Sequence, residues 1–329
     1  MRRVSLEQLT PFLVGLLTFG FVWFSPAQPL GVDFDYLWWA GRAVWQGLDP
    51  YAEVRQNLPS PFYYPGTAAV VMALFGPLSR NLAAALFAGL GMGLLCGSVT
   101  GWRRWIILSA PALQAILFGQ WSPLLTAAVG LRWLGFLWAV KPNIGVTLFG
   151  AWPSRMSLYG GIGVLFLSFL LVPHWPGEWL NVLPGTPHYT APVLRPGGFL
   201  LLLAWLRWRQ PEARLLGLLA VVPHTTGIYE QLPLLLIPQT RLRFIVLMGL
   251  SHLAAILVTV VVAYPDASTV QLGLTIQWPY FLVMVWLPAL VMLLRSPKVN
   301  PQHPTAPPQT TEVTEGCSSS TGSLADNAS

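Results

Sequence analysis

Asp33 and Asp35 are the residues of this chain best placed by type and setting to do acid–base chemistry. They lie in Gly31-Val-Asp-Phe-Asp-Tyr-Leu-Trp-Trp-Ala-Gly-Arg-Ala-Val-Trp45, where two carboxylates stand among aromatic residues directly after a long apolar segment. Beside a bilayer, desolvation makes a carboxylate costly, and costly charges mark functional positions. Side chains two residues apart point to different sides of a helix, so the two are not expected to share one role. Asp33 is the stronger candidate. The plainer alternative is that Asp33 only caps the helix that follows, with Tyr36 standing where a capping box would carry Glu. Farther along, Lys141 is isolated in apolar sequence, and Pro223-His224 and Tyr229-Glu230 bring further titratable groups into another apolar region.

These residues need elements to hold them. From Asp33 to Trp45 the only helix breaker is Gly41, and Phe34, Trp38, Trp39 and Trp45 suit a helix lying along a membrane surface. Gly47 fits as the residue that ends it. Pro61-Phe62-Tyr63-Tyr64-Pro65 cannot be helical throughout, since each proline restricts the residue before it. Gly66–Leu78 is apolar but too short to span comfortably, and reads as a second interfacial or re-entrant helix.

The rest of the chain reads as a bilayer-embedded frame. Charged residues are 9% of the 329 and hydrophobic residues 54%, with 16 Trp and 16 Phe, against about 25% charged in a soluble domain. A soluble protein of this size could not cover its surface with so few charges. The clearest spans are 9–24, 81–100, 105–118, 157–173, 243–263 and 276–294, with shorter apolar pieces between them. The expectation is an all-α polytopic membrane protein of about eight to twelve transmembrane helices, with interfacial helices in the first external loop, 25–80. Residues 1–295 form the embedded domain, and the Pro/Ser/Thr-rich 296–329 a disordered cytoplasmic tail. Ser25-Pro26-Ala27 is a weak cleavage site, so the first apolar run is read as an uncleaved span. Arg2 and Arg3 place the N-terminus inside, and one threading then puts Arg103, Arg104, Arg132, Arg155, Arg207, Arg209, Arg214, Arg241, Arg243, Arg295 and Lys298 inside too. Arg80 and Arg195 remain outside as exceptions. Cys96 and Cys317 are not expected to pair or to bind metal. The net charge of +6 reflects the cytoplasmic loops and anionic headgroups, not nucleic acid.

The ordered elements Asp33-Phe34, Ala40-Gly41-Arg42-Ala43, Gly47-Leu48-Asp49-Pro50-Tyr51 and Pro61-Phe62-Tyr63-Tyr64-Pro65 resemble glycosyltransferase family 87. This is a family of GT-C-type membrane transferases that includes polyprenyl-phosphate-mannose-dependent mannosyltransferases. Gly119-Gln120-Trp121-Ser122 resembles its Gly-Gln-x-Asn element with Ser for Asn, and Lys141-Pro142-Asn143-Ile144 its Lys-Pro-x-Pro element with Ile for Pro. Pro223-His224, Tyr229-Glu230 and Pro238 resemble a segment with Tyr-Asp before a late span, with Glu for Asp. The resemblance covers residues 10–240. It implies a GT-C-like bundle in the plasma membrane, bacterial in type, with the active site extracytoplasmic and both termini cytoplasmic. It implies an inverting transfer of a hexose, mannose in the named members, from a polyprenyl-phosphate sugar to a lipid or glycan acceptor. Asp33 matches the general base. A phosphate leaving group needs a cation, for which Lys141 comes first and Arg42 second. Asp35, Tyr63, Tyr64, Gln120, His224, Tyr229 and Glu230 would line the substrates.

Alternatives stay open for several of these. Lys141 could snorkel to headgroups, Gln120 could satisfy a broken backbone, and His224 with Glu230 could be a structural pair. No cofactor is required by the sequence, though a divalent metal could assist; no carboxylate cluster resembles a nucleotide-sugar metal site. The competing reading from another class is a transporter or lipid flippase, supported by the half-length apolar pieces; a third is an inactive scaffold.

Overall fold

A computed structural model of the chain describes residues 6–25, 32–185, 190–225, 227–261 and 277–297. Arg2, Arg3, the segment 264–271 and all of the expected tail beyond Pro297, with Cys317, lie outside the described residues. In chain order the first α-helices are α1 (Leu6–Phe24), α2 (Val32–Trp45), α3 (Pro50–Asn57), α4 (Gly66–Met72) and α5 (Arg80–Ser98). Next come α6 (Ala110–Phe118), α7 (Ser122–Gly130), α8 (Pro142–Ala151), α9 (Arg155–Leu171) and α10 (Trp175–Val182). The series ends with α11 (Pro211–Val221), α12 (Arg241–Val261) and α13 (Gln277–Leu294), the last carrying a π-turn at Leu282–Trp286. Among the described residues the longer 3-10 helices, Gly101–Leu108, Arg132–Ala139, Gly198–Arg207 and Ile228–Leu236, fill gaps between them. Among the described residues there is no strand, only a lone antiparallel bridge from Thr190 to His224.

Among the described residues four helices, α1, α5, α12 and α13, are long and apolar enough to cross a membrane. The bent pair α9 and α10, which meet at 99°, makes a fifth if counted as one broken span. That is fewer than the eight to twelve expected. The difference lies in the middle of the chain, where apolar sequence is cut into short pieces. Residues 105–118, expected as one span, divide at Ser109, whose hydroxyl accepts from the Ala112 N–H and starts α6 anew, with Pro111 in its first turn.

The outward faces are apolar. No residue of α1 is buried, and Phe12, Leu17 and Phe21 are exposed. Phe166 and Leu170 of α9 and Ile256 and Val260 of α12 are exposed as well. Water would penalise such faces, while hydrocarbon would not. Helices α1 and α5 meet backbone to backbone. A Cβ on Gly89 would lie 2.8 Å from the Gly15 carbonyl oxygen, so a side chain there would force the pair apart.

Three arginines cap helix ends. Arg103 donates to the Leu236 and Pro238 carbonyls, Arg207 to Leu294 and Ser296, and Arg214 to Gly150 and Ala151. These are the C-terminal ends of the 228–236 helix, of α13 and of α8, where unpaired carbonyls and the negative end of the dipole gather. The N-terminal ends of the same three elements carry Glu230, Gln277 and Lys141. The guanidinium-capped ends and the ends bearing those three residues are therefore opposite ends of the same rods, about 15 Å apart along α8.

Candidate functional site

Asp33 sits one residue inside α2, so it belongs to the first turn and is not the cap. Its neighbour Phe34 is fully buried against Phe87, which in turn packs edge-on to Trp121, and this fixes the start of α2. At the other end Gly47 takes φ 72° and stops the helix, as its sequence position suggests. Gly41 serves close packing, since a Cβ there would lie 2.4 Å from the Met72 carbonyl oxygen of α4.

Gln120 is delivered by a helix ending. Gly119 takes φ 66°, and the N–H groups of Gly119 and Gln120 close back onto Ile116 and Ala115 of α6. This turn aims the buried Gln120 side chain at Asp33. The Pro61–Pro65 segment is not helical, as the two prolines require. The Tyr51 hydroxyl donates to the Tyr64 carbonyl at 2.9 Å, and the Trp179 indole N–H to the Tyr63 carbonyl at 3.0 Å. Lys141 stands just before Pro142 opens α8, and the 3-10 helix at Ile228–Leu236 supplies Glu230.

These side chains form one network. The Gln120 amide nitrogen donates to Asp33 Oδ2, in a short hydrogen bond. Its oxygen accepts from Lys141 Nζ at 3.2 Å and from the Tyr64 hydroxyl at 3.4 Å. Lys141 Nζ also lies 2.8 Å from Glu230 Oε1, out of line for a hydrogen bond, and Glu230 Oε2 has no hydrogen-bond partner. Both side chains are nearly sealed from solvent, at 7% and 1% exposure. The Tyr229 and Tyr64 rings face the ammonium at 5.3 and 5.9 Å. A buried cation thus stands between two carboxyls and two aromatic faces.

Asp33, Tyr64, Gln120, Lys141, Tyr229 and Glu230 all line one cavity of about 450 Å³. Its remaining wall includes Gln114, Thr225 and Gln277. A second cavity of about 470 Å³ lies on the other side of Tyr63, Tyr64 and Lys141, which line both. Burial pushes the Asp33 carboxyl above its usual range, while Lys141 and the Gln120 hydrogen bond pull it back down. The Tyr64 phenol is driven far above its usual value by burial and by Asp33 and Glu230, which keeps it a proton donor. The chemistry open to this arrangement is proton abstraction by Asp33 and stabilisation of a negative charge by Lys141.

Not every candidate joins the network. Asp35 does not line the cavity and pairs with Arg80 at 2.6 Å. Arg42 lies over the Trp38 ring at 5.3 Å and does not line the cavity. His224 is buried behind it, stacked on Trp286 with Nδ1 2.8 Å from the Val222 carbonyl, and burial pushes its pKa down. Thr225, Gln114 and Gln277 were not singled out in the sequence; polar residues next to His224 or inside apolar helices are the signal that could have found them. Among the described residues, no three His, Cys, Asp or Glu side chains gather as a metal would need. Comparison with protein-family models, with curated proteins and with solved structures finds no match to this chain.

Proposed function

We propose that the chain is an integral membrane glycosyltransferase of the GT-C type. It moves a hexose, mannose by resemblance, from a polyprenyl-phosphate sugar to a hydroxyl of a lipid or glycan acceptor, with inversion. The observation that carries this reading is the buried Asp33–Gln120–Lys141–Glu230 network lining a cavity large enough for a sugar. Asp33 takes the acceptor hydroxyl proton as that oxygen attacks the anomeric carbon. The bond from that carbon to the phosphate oxygen breaks, and its electron pair leaves with the phosphate. Lys141 balances the charge that builds on the phosphate.

Helix polarity supports an extracytoplasmic site. The arginine-capped ends suit the cytoplasmic side by the positive-inside rule, and the Lys141 end would then lie outside. A transporter reading needs its polar site near mid-membrane, whereas here the polar groups collect at one end of several elements. The bilayer lipids then deliver the donor to the external leaflet, and the apolar outer faces keep the protein among them.

The test is an assay of purified protein with a panel of polyprenyl-phosphate sugars and acceptors from a native lipid extract. Transfer from at least one donor, abolished in Asp33→Asn with donor binding intact, is the expected result. Absence of transfer and of donor binding across the panel would reject the reading.

A further inference from the structure

Among the described residues, carboxyls outnumber basic side chains in the cavity wall. Asp33 and Glu230 supply two carboxyls, and Lys141 is the sole basic side chain among its lining residues. The groups facing Glu230 are Lys141 from the start of α8, Asp33 from α2, Tyr64 from the Pro61–Pro65 segment, Tyr229 beside it, and His224 from the turn before. Arg195 acts one layer away, on His224. Helices α6 and α7 carry no titratable side chain, and His252 of α12 is engaged with the Leu108 carbonyl. Tyr280, the titratable residue of α13, is not in the cavity wall. With both carboxyls ionised, one of them has no cation of its own.

A phosphodiester entering this cavity adds another negative charge, and it competes for Lys141. Like charges held close in a low-dielectric site drive a proton onto one of them. The two carboxyls are not equivalent in this respect. Asp33 keeps the Gln120 N–H bond, which favours its ionised form against the burial that favours the neutral one. Glu230 holds Lys141 by an out-of-line contact alone, and its second oxygen has no hydrogen-bond partner. Turning Lys141 toward a phosphate would leave Glu230 as a buried carboxylate with nothing opposite, which burial does not tolerate.

On the glycosyltransferase reading, on which this step rests, we infer that the donor phosphodiester binds together with one proton, which Glu230 takes up. Lys141 is thereby freed for the phosphate, and the Glu230 carboxylic O–H donates to a phosphate oxygen. When the sugar–oxygen bond breaks, the phosphate gains a second negative charge, and the Glu230 proton passes to it. The product leaves as a singly protonated phosphate monoester. Asp33 then returns the acceptor proton to water, so that every proton is accounted for.

The test is calorimetric binding of citronellyl phosphoryl mannose, whose phosphodiester charge is constant from about pH 5 to 9. Measured in two buffers of different ionisation enthalpy, wild-type protein should take up about one proton per donor bound. Its affinity should fall up to tenfold per pH unit on the alkaline side. Glu230→Gln should bind with no proton uptake and a flat pH dependence. Wild-type binding without proton uptake, or an unchanged slope in Glu230→Gln, would overturn the inference while leaving the transferase reading in place. No donor binding at any pH would reject both. Absence of wild-type proton uptake overturns the inference even where Glu230→Gln does not fold.

Discussion

Gln120 holds Asp33 by its amide nitrogen while its oxygen faces Lys141 at 3.2 Å. One neutral side chain therefore orients the proposed base and ties it to the proposed phosphate cation. The bond favours the ionised carboxyl, against a burial effect that favours the neutral one.

Gln120→Ala removes that bond and should push the Asp33 pKa higher still. Because the base must be ionised to act, the acidic limb of the pH–rate profile moves to higher pH. The rate at the plateau falls by roughly tenfold as Asp33 loses its orientation. An unmoved limb would show that Gln120 does not act through Asp33.

Asp33→Asn tests the base directly. Turnover should fall about 10²- to 10⁴-fold, with donor affinity kept. Stability moves the other way. A carboxyl whose folded pKa is raised costs stability once pH exceeds its unfolded value. Removing its charge should leave thermal unfolding in detergent at neutral pH unchanged or higher. A large drop in unfolding temperature would instead mark Asp33 as structural.

Lys141→Met leaves Glu230 buried with no cation opposite, so that it either keeps an unopposed charge or must take a proton, which should cost about 3–5 kcal/mol. Adding Glu230→Gln to Lys141→Met removes that buried charge, so the double variant should recover most of the stability but none of the activity. Recovery of both would deny Lys141 any part in the chemistry.

The carboxyl two residues on behaves differently. Asp35 and Arg80 pair at a partly exposed site, where such pairs contribute up to about 1 kcal/mol. Asp35→Asn should alter turnover less than twofold, in contrast to its neighbour. A loss of activity matching that of Asp33→Asn would show that the pair acts as a unit.

The sequence made the helix α2, its end at Gly47 and the broken Pro61–Pro65 segment legible, because glycine and proline act through local backbone sterics. The separate settings of Asp33 and Asp35 were legible for the same kind of reason, a helix period. The split at Ser109 was not, since a serine between apolar runs reads equally as part of a buried span. Nor was the Lys141–Glu230 pairing: the two are 89 positions apart, and only tertiary packing sets one against the other. Arg42 was drawn to the site by its place in a motif, but its nearest partner is Trp38, one helical turn earlier.

Gly119 links backbone strain to the site. It adopts φ 66°, and a Cβ there would stand 2.5 Å from the Phe34 Cβ. Gly119→Ala thus meets two penalties, a left-handed backbone costing about 1–2 kcal/mol and a clash with the first turn of α2. The turn can relax only by moving Gln120 away from Asp33, or α2 away from α6. Both displace the hydrogen bond between them. The variant should unfold at lower temperature and also show the alkaline shift expected of Gln120→Ala. A variant that loses stability but keeps the wild-type pH profile would separate the scaffold from the site and show that the Asp33–Gln120 contact survives the displacement.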